Sequence, residues 1–162
     1  PPRGPIKGGS VFIRHIVEYC IAMKQSIYVG EGTNEFEMVD LDDTVDLYLR
    51  VFDLAFKTDK PTTSAYARYF VPTAGPTSWK TLVTAIGGEL ARRGLVTNAT
   101  PHSIALADIR DPHIMLVVSA SSHRIVADRP KELGWKARPV NLEDYMKADL
   151  DIILQQMVQN VT

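Results

Sequence analysis

Apolar residues recur every three or four positions in several stretches of the chain, a spacing typical of helices that pack on one face. The first stretch follows Ser10 and continues to about residue 24, which predicts a helix with Ser10 as its N-terminal cap. Ser78 and Asn141 stand in the same position before two further stretches, and Gly94 ends the earlier of these. The inward positions predicted after Ser78 are Trp79, Leu82, Val83, Ile86 and Leu90. Those predicted after Asn141 are Leu142, Met146, Leu150, Ile153 and Met157.

A fourth amphipathic helix is predicted to open at Asp42 and Asp43. Carboxylates are favourable at the positive N-terminal end of a helix, and one of the two can cap it. Together with Asp40 and Asp46 these residues suggest a hard-cation site, but capping and compensation of the helix dipole explain the helical three better. The predicted buried stripe of this helix is Val45, Tyr48, Val51, Phe52 and Ala55.

Shorter segments between these helices carry β-branched and aromatic residues, which favour strands. The predicted strands are residues 26–29, 36–41, 66–71 and 103–106. Residues 30–34 have turn chemistry, and residues 1–9, rich in proline and glycine, should be irregular. Short helices are expected over residues 111–119 and up to Leu133, where Gly134 stops the second. The pattern as a whole predicts a small mixed α/β fold.

The bulk properties predict one globular domain over residues 1–162. The formal net charge of -1 creates no long-range field that would attract nucleic acid or an anionic membrane. No apolar run approaches the roughly 20 residues that a membrane helix needs, and the N-terminal residues do not resemble a signal peptide. We therefore expect a cytoplasmic protein without nucleic-acid or membrane partners.

Cysteine and histidine usage excludes several chemical sites. Cys20 is the single cysteine, so the chain has no internal disulfide and no multi-cysteine metal site. Because Cys20 lies in an apolar helical stretch, a buried structural thiol is favoured over a nucleophile. The four histidines lack metal-binding spacing, and no serine stands in a Gly-x-Ser-x-Gly motif. We expect neither a metal nor a catalytic residue in this chain.

Five motifs follow one another along the chain at compatible distances. Pro1-Pro2 precedes a helix and then a strand that ends in Gly30-x-Gly32. Residues 36–43 form an aromatic–x–hydrophobic–Val–x–x–Asp–Asp segment that opens a helix, and Ser78-Trp79 begins a later one. Residues 129–139 contain a Leu-Gly-Trp motif near the C-terminus. In this order the motifs resemble the C-terminal part of the extended short-chain dehydrogenases, the NAD-dependent epimerase/dehydratase superfamily.

The resemblance implies a fold class and a set of site residues. The chain would be the small mixed α/β substrate-binding portion of such an enzyme, without the N-terminal Rossmann nucleotide-binding half. Its full-length parent would bind NAD or NADP and act on a carbonyl or hydroxyl compound, and Pro1 and Pro2 would lie beside the cofactor. The residues that the resemblance places at the substrate are Arg3, Gly4, Tyr28 and Arg124.

The chemical groups of that family are missing from the chain. It has no glycine-rich dinucleotide fingerprint, and no tyrosine is followed four residues later by a lysine. We therefore expect this chain to bind no cofactor and to be inactive alone, with the missing half or a second copy as its partner. The absence of an initiator methionine likewise suggests a processed or truncated chain.

The sequence restricts the predicted substrate class, and it leaves structural alternatives for two of the predicted site residues. Glu35 stands before Phe36 where many nucleotide-sugar enzymes of the family carry arginine, so a diphosphate is disfavoured and small carbonyl compounds are retained. Arg124 has pairing with Asp128 as its structural alternative, and Tyr28 has burial in the core. The alternative function is a stand-alone ligand- or protein-binding module that self-associates and catalyses nothing.

Overall fold

The computed structural model of the chain describes residues 10–57, 64–109 and 121–159. Within these ranges the protein is a mixed α/β fold, the class that the sequence predicts, with five α-helices and four short strands. The helices are α1 (Val11–Met23), α2 (Leu41–Lys57), α3 (Trp79–Arg92), α4 (Asp128–Glu132) and α5 (Leu142–Gln159). The strands are β1 (Ile27–Val29), β2 (Glu35–Met38), β3 (Gly75–Ser78) and β4 (His102–Ile104).

The described residues form two compact units, each built from separate stretches of the chain. The first consists of residues 10–35, 78–109, 121–122 and 141–159. The second consists of residues 36–57, 64–77 and 123–140. Helices α1, α3 and α5 with strands β1 and β4 therefore belong to the first unit, and α2 and α4 belong to the second. Strands β2 and β3 pair with each other, and most of their residues belong to the second unit.

Helix α3 supplies the centre of the first unit. It packs against α5 and against β1, and its Leu82, Ile86 and Leu90 are fully buried together with Leu150 and Ile153 of α5. Burying each of these side chains contributes about 1.5–3 kcal/mol relative to leaving it exposed. Strand β1 runs parallel to β4. The register pairs are Ile27 with His102, Tyr28 with Ser103 and Val29 with Ile104. All the inward positions predicted for α3 are buried.

The helix caps of the first unit are confirmed. Oγ of Ser78 accepts a hydrogen bond from the Thr81 backbone N–H at 3.1 Å, and Ser10 and Asn141 make side-chain caps with distances of 3.4 and 3.1 Å. Gly94 follows α3 with a φ of 70°, the left-handed conformation that glycine adopts without strain. Each side-chain cap contributes roughly 1 kcal/mol by satisfying a backbone N–H group at the helix end.

The C-terminal turn of α3 carries an ion-pair network. Glu89 accepts hydrogen bonds from Arg92 and Arg93, and Arg93 also pairs with Asp151 of α5 at 2.7 Å. The Glu89 side chain is only 11% exposed. The hydrogen bond from Arg92, with a further contribution from Arg93, lowers the pKa of Glu89 to about 2. The folded protein therefore binds a proton at Glu89 more weakly than the unfolded chain does.

Replacing Glu89 with glutamine should lower the free energy of unfolding at neutral pH. It should also make that free energy depend less on pH in the acid range. A depressed pKa contributes stability that is complete above the unfolded value of 4.5 and is lost as pH falls toward about 2. The gap between the unfolding free energies of the wild type and Glu89→Gln should thus be constant above a pH of about 5 and close as the pH falls to about 2. Urea denaturation at a series of pH values measures this gap. The variant Glu31→Gln, at an exposed turn residue, serves as a control that should follow the wild type, and a gap independent of pH would contradict the assignment.

The predicted buried face of α2 is wrong. Among its residues only Asp43 and Leu47 are buried, whereas Val45, Tyr48 and Phe52 of the predicted stripe are 48%, 72% and 61% exposed. The inward face is set by Asp43, which pairs with Arg138 of the same unit at 2.7 Å, and Leu47 follows one helical turn later. The ion pair between Asp43 and Arg138 thus sets which face of α2 is buried, whereas the spacing of apolar residues predicts the wrong face.

The N-terminal cap of α2 also differs from the prediction. Oδ1 of Asp40 accepts the backbone N–H groups of Asp42 and Asp43 at 2.7 and 3.4 Å, and its backbone carbonyl accepts the Thr44 hydroxyl at 2.9 Å. The cap is therefore Asp40, which precedes the helix by one residue, and neither of the two aspartates inside it. This arrangement leaves the Asp43 carboxylate available to Arg138.

The strand predicted over residues 66–71 is also wrong. Ala65–Arg68 forms a 3₁₀ helix, and residues 69–71 have no regular structure. The Tyr66 carbonyl accepts the Tyr69 N–H at 3.5 Å and a hydrogen bond from the Arg129 guanidinium, so this carbonyl is satisfied without a neighbouring strand.

Strand β4 lies slightly before its predicted position, and β2 is shorter than predicted. The predictions for residues 1–9 and 111–119 lie outside the described residues.

Candidate ligand-binding groove

A groove of about 630 Å³ lies wholly within the second unit. Its volume falls in the range of roughly 300–1,000 Å³ that is usual for small-molecule sites. The lining comes from β2 and β3, the loop before α4, α4 itself and the segment after it. The lining residues are Glu37, Thr73, Ala74, Gly75, Pro76, Arg124, Ile125, Val126, Ala127, Lys131, Gly134, Trp135, Lys136 and Ala137.

One wall is the loop of residues 123–127, which Glu37 of β2 holds in place. The Ile125 backbone N–H donates to Oε1 of Glu37 at 3.2 Å, and the Thr73 hydroxyl donates to Oε2. His123 packs edge-on against Phe36, with ring centroids 6.4 Å apart. The loop that carries Arg124 is therefore attached to the strand on both sides of that residue.

The opposite wall is the turn after α4. Gly134 has a φ of 69° and ends the helix as predicted, which brings Trp135 into the interior with only 4% of its surface exposed. The indole Nε1–H donates to the backbone carbonyl of Asp43 at 3.0 Å. The Asp43 carboxylate accepts the Arg138 backbone N–H at 2.8 Å and its Nε–H at 2.7 Å. These bonds fix Gly134 and Lys136 on either side of a buried aromatic ring.

The charges of the groove lining are mostly positive. Arg124, Lys131 and Lys136 are cationic, and Glu37 is the single carboxylate among the lining residues. Lys131 pairs with Asp128 at 3.0 Å, so the carboxylate considered as the alternative partner of Arg124 is bound to a different cation. Arg124 forms no ion pair within the part of the chain that the structure describes, and its side chain is exposed.

The structure does not bring all the predicted site residues into this groove. Arg124 lines it, whereas Tyr28 belongs to the first unit and is not a lining residue. The Tyr28 ring packs on Gly32, and Nζ of Lys80 lies 5.5 Å from the ring centroid. The predicted roles of Pro1, Pro2, Arg3 and Gly4 fall outside the described residues.

Two glycine pairs lie within the residues that the structure describes, Gly30-x-Gly32 and Gly87-Gly88, and each contains one glycine that packs against other residues of the protein. A Cβ atom on Gly32 would lie 2.5 Å from Cδ2 of Tyr28, and one on Gly87 would overlap Oγ of Ser26. The space beside these two glycines is therefore filled by the protein's own side chains. Neither pair provides the continuous open backbone that a dinucleotide phosphate requires.

Other candidate chemistry is also absent from the described residues. They contain no cluster of three or more histidine, cysteine or acidic side chains that could hold a metal ion. Cys20 is buried in α1 as predicted, and burial raises the pKa of its thiol, which disfavours the reactive thiolate.

Several groove residues could not be identified from the sequence. Glu37 and Thr73 carry no motif, and only the pairing of β2 with the segment before β3 brings them together. Lys136 directly follows the Leu-Gly-Trp motif, so its position next to a helix-ending turn was the one available clue. Arg138 follows two residues later and could have been paired with an aspartate only through the fold.

Comparison with models of known protein families gives no match to this chain, and comparison with curated proteins gives none. Among the helices that the structure describes, none is both long and apolar enough to cross a membrane.

Proposed function

We propose that this chain is the substrate-binding portion of an NAD(P)-dependent oxidoreductase or epimerase that acts on a carbonyl or hydroxyl compound. One observation carries the proposal. Arg124, which the sequence resemblance places at the substrate, and Gly134-Trp135, which belong to the resembling Leu-Gly-Trp motif, line the same groove.

The proposal assigns binding and orientation to this chain and hydride transfer to another part of the protein. In the parent enzyme NAD or NADP would supply the hydride, bound by a Rossmann half on the N-terminal side of Pro1. The described residues offer a small-molecule groove with cationic groups but no glycine-rich phosphate cradle. Activity would accordingly require both parts.

The intact mass of the gene product in freshly lysed cells tests this division. The proposal predicts a precursor heavier by roughly 15–20 kDa, the size of a nucleotide-binding domain. Its extra sequence should contain a glycine-rich fingerprint and a Tyr-x-x-x-Lys motif. A gene product with the mass of residues 1–162 would contradict the proposal.

The exposed apolar face of α2 favours a second candidate, a binding module without catalysis. Tyr48, Leu49, Phe52 and Phe56 are 60–74% exposed, and the rings of Phe52 and Phe56 pack together with centroids 4.6 Å apart. An apolar surface of this kind on one helix is typical of a protein contact. The contact would be with a second copy of the chain.

Analytical ultracentrifugation of residues 1–162 tests self-association through α2. A binding module that associates through α2 should form dimers, and Phe52→Asp should return it to a monomer. The matched control Asp53→Asn alters the neighbouring exposed position without removing apolar surface. A wild-type chain that stays monomeric at high micromolar concentration would remove self-association from consideration.

A further inference from the structure

We propose that the groove of the second unit selects an anionic carbonyl compound, one whose carboxylate or phosphate group is bound by Arg124 and Lys136. This inference rests on the proposed function only in assigning a carbonyl group to the ligand. The selectivity for an anion follows from the charges of the groove lining. It assigns a chemical class to the ligand and a role to Lys136.

The residues that line the groove carry more positive than negative charge. Three lining residues are cationic and one is anionic. Both oxygens of that carboxylate, Glu37, already accept hydrogen bonds, one from the Ile125 N–H at 3.2 Å and one from the Thr73 hydroxyl. Glu37 therefore holds the wall of the groove and is not positioned as a partner for its cations.

Two of the three cations in the lining are available to bind a ligand. Lys131 pairs with Asp128 at 3.0 Å, whereas Arg124 and Lys136 form no ion pair within the described residues. A guanidinium presents a planar fork of donors that matches a carboxylate or phosphate, and an ammonium adds a point charge. Two cations without an ion pair in one groove thus favour an anionic ligand.

The groove also has an apolar surface beside its charged residues. Most of the remaining side chains that line the groove are aliphatic or proline. They are Ala74, Pro76, Ile125, Val126, Ala127 and Ala137. Such a surface favours an organic body beside the anionic group over a bare inorganic ion.

Isothermal titration of residues 1–162 with benzoylformate, a 2-oxo acid with a phenyl ring, tests the selectivity. Its methyl ester is the neutral control, and inorganic phosphate is the control for the anion alone. Benzoylformate should bind at least about tenfold more tightly than the ester, as expected for a charge-assisted contact. Its affinity should fall with added salt because the cations are exposed. Equal affinity for acid and ester, or phosphate binding as tight as benzoylformate, would overturn the proposal.

Substitutions locate the binding. Arg124→Gln should weaken benzoylformate binding by about tenfold or more, and Lys136→Gln by a smaller factor. Lys147→Gln, on α5 of the first unit, changes the net charge equally and should leave affinity unaltered. An unchanged far-UV circular dichroism spectrum in each variant shows that the fold is retained. Weakening by Lys147→Gln equal to that of Arg124→Gln would instead indicate a general charge effect and overturn the assignment.

The outcomes separate this inference from the proposed function. Anion selectivity that depends on Arg124, found in a gene product with no nucleotide-binding half, would support the inference and contradict the enzyme. A reductase whose carbonyl substrates are neutral, with affinities insensitive to Arg124→Gln, would support the enzyme and contradict the inference.

Discussion

Replacing Gly87 with alanine should destabilise the first unit by roughly 1–3 kcal/mol, the usual result of adding a methyl group to a filled core. The new Cβ would overlap Oγ of Ser26 and lie 2.8 Å from the backbone carbonyl oxygen of Ala99. Ser26 is fully buried, and a backbone oxygen cannot turn aside as the end of a flexible side chain does. Helix α3 would have to move away from the segments around Ser26 and Ala99. Urea denaturation followed by far-UV circular dichroism measures the loss.

The adjacent residue supplies a matched control. Gly88 lies on the same helix, is exposed, and has open space where the methyl group of an alanine would stand, with no neighbouring atom within 4 Å. Gly88→Ala should therefore raise stability by up to about 1 kcal/mol, because alanine favours the helix more than glycine does. Equal effects of the two substitutions would contradict the close packing at Gly87.

Replacing Asp43 with alanine should destabilise the second unit by about 1–2 kcal/mol, because it removes a largely buried carboxylate and leaves the partly buried Arg138 backbone N–H without its acceptor, whereas the 65% exposed Arg138 side chain regains water. The Asp43 carboxylate accepts two hydrogen bonds from Arg138, one from its backbone N–H and one from its side chain. The backbone carbonyl of the same residue accepts the Trp135 indole N–H. Loss of the carboxylate should loosen the turn that forms one wall of the groove. The chain has two tryptophans, so the variant Trp79→Phe leaves Trp135 as the sole reporter of this unit.

Asp46 on the same helix is the control for Asp43. It pairs with Arg50 at 2.9 Å, but the two side chains are 52% and 43% exposed. Exposed pairs of this kind contribute roughly 0–1 kcal/mol, so Asp46→Ala should change the Trp135 transition little. A loss at Asp46 as large as the loss at Asp43 would show that burial of the Asp43 carboxylate is unimportant.

The caps and apolar faces of the first unit could be predicted because local chemistry decides them. Ser10, Ser78 and Asn141 cap their helices by bonds to residues two or three positions away, and Gly94 ends α3 by its own conformation. The inward face of α3 is continuous and apolar, so periodicity alone identifies it.

Helix α2 shows where prediction from local pattern fails. Its inward face is decided by an aspartate whose partner lies 95 residues away in sequence. No local pattern contains that partner, and a stripe of large apolar residues was available on the other side of the helix. The same reason explains the failed strand at residues 66–71, where the Tyr66 carbonyl bonds to Arg129 from α4.

The candidate site could be predicted only in part for the same reason. Arg124 and the Leu-Gly-Trp turn were identified as separate features of the sequence, and the fold makes them walls of one groove. Glu37 holds the Arg124 loop across 88 residues of sequence, which spacing does not reveal. Tyr28 belongs to the first unit, where its half-buried ring packs on Gly32.

Hydride transfer by the full-length gene product tests the proposed function most directly. Oxidation of NADH and NADPH should be measured with benzoylformate and a panel of neutral ketones, for the wild type and for Arg124→Gln. We predict oxidation of one nicotinamide cofactor that depends on an added carbonyl compound. We also predict a kcat/KM for benzoylformate that Arg124→Gln lowers by about tenfold or more. A full-length product that binds neither cofactor and oxidises neither would contradict the proposed function.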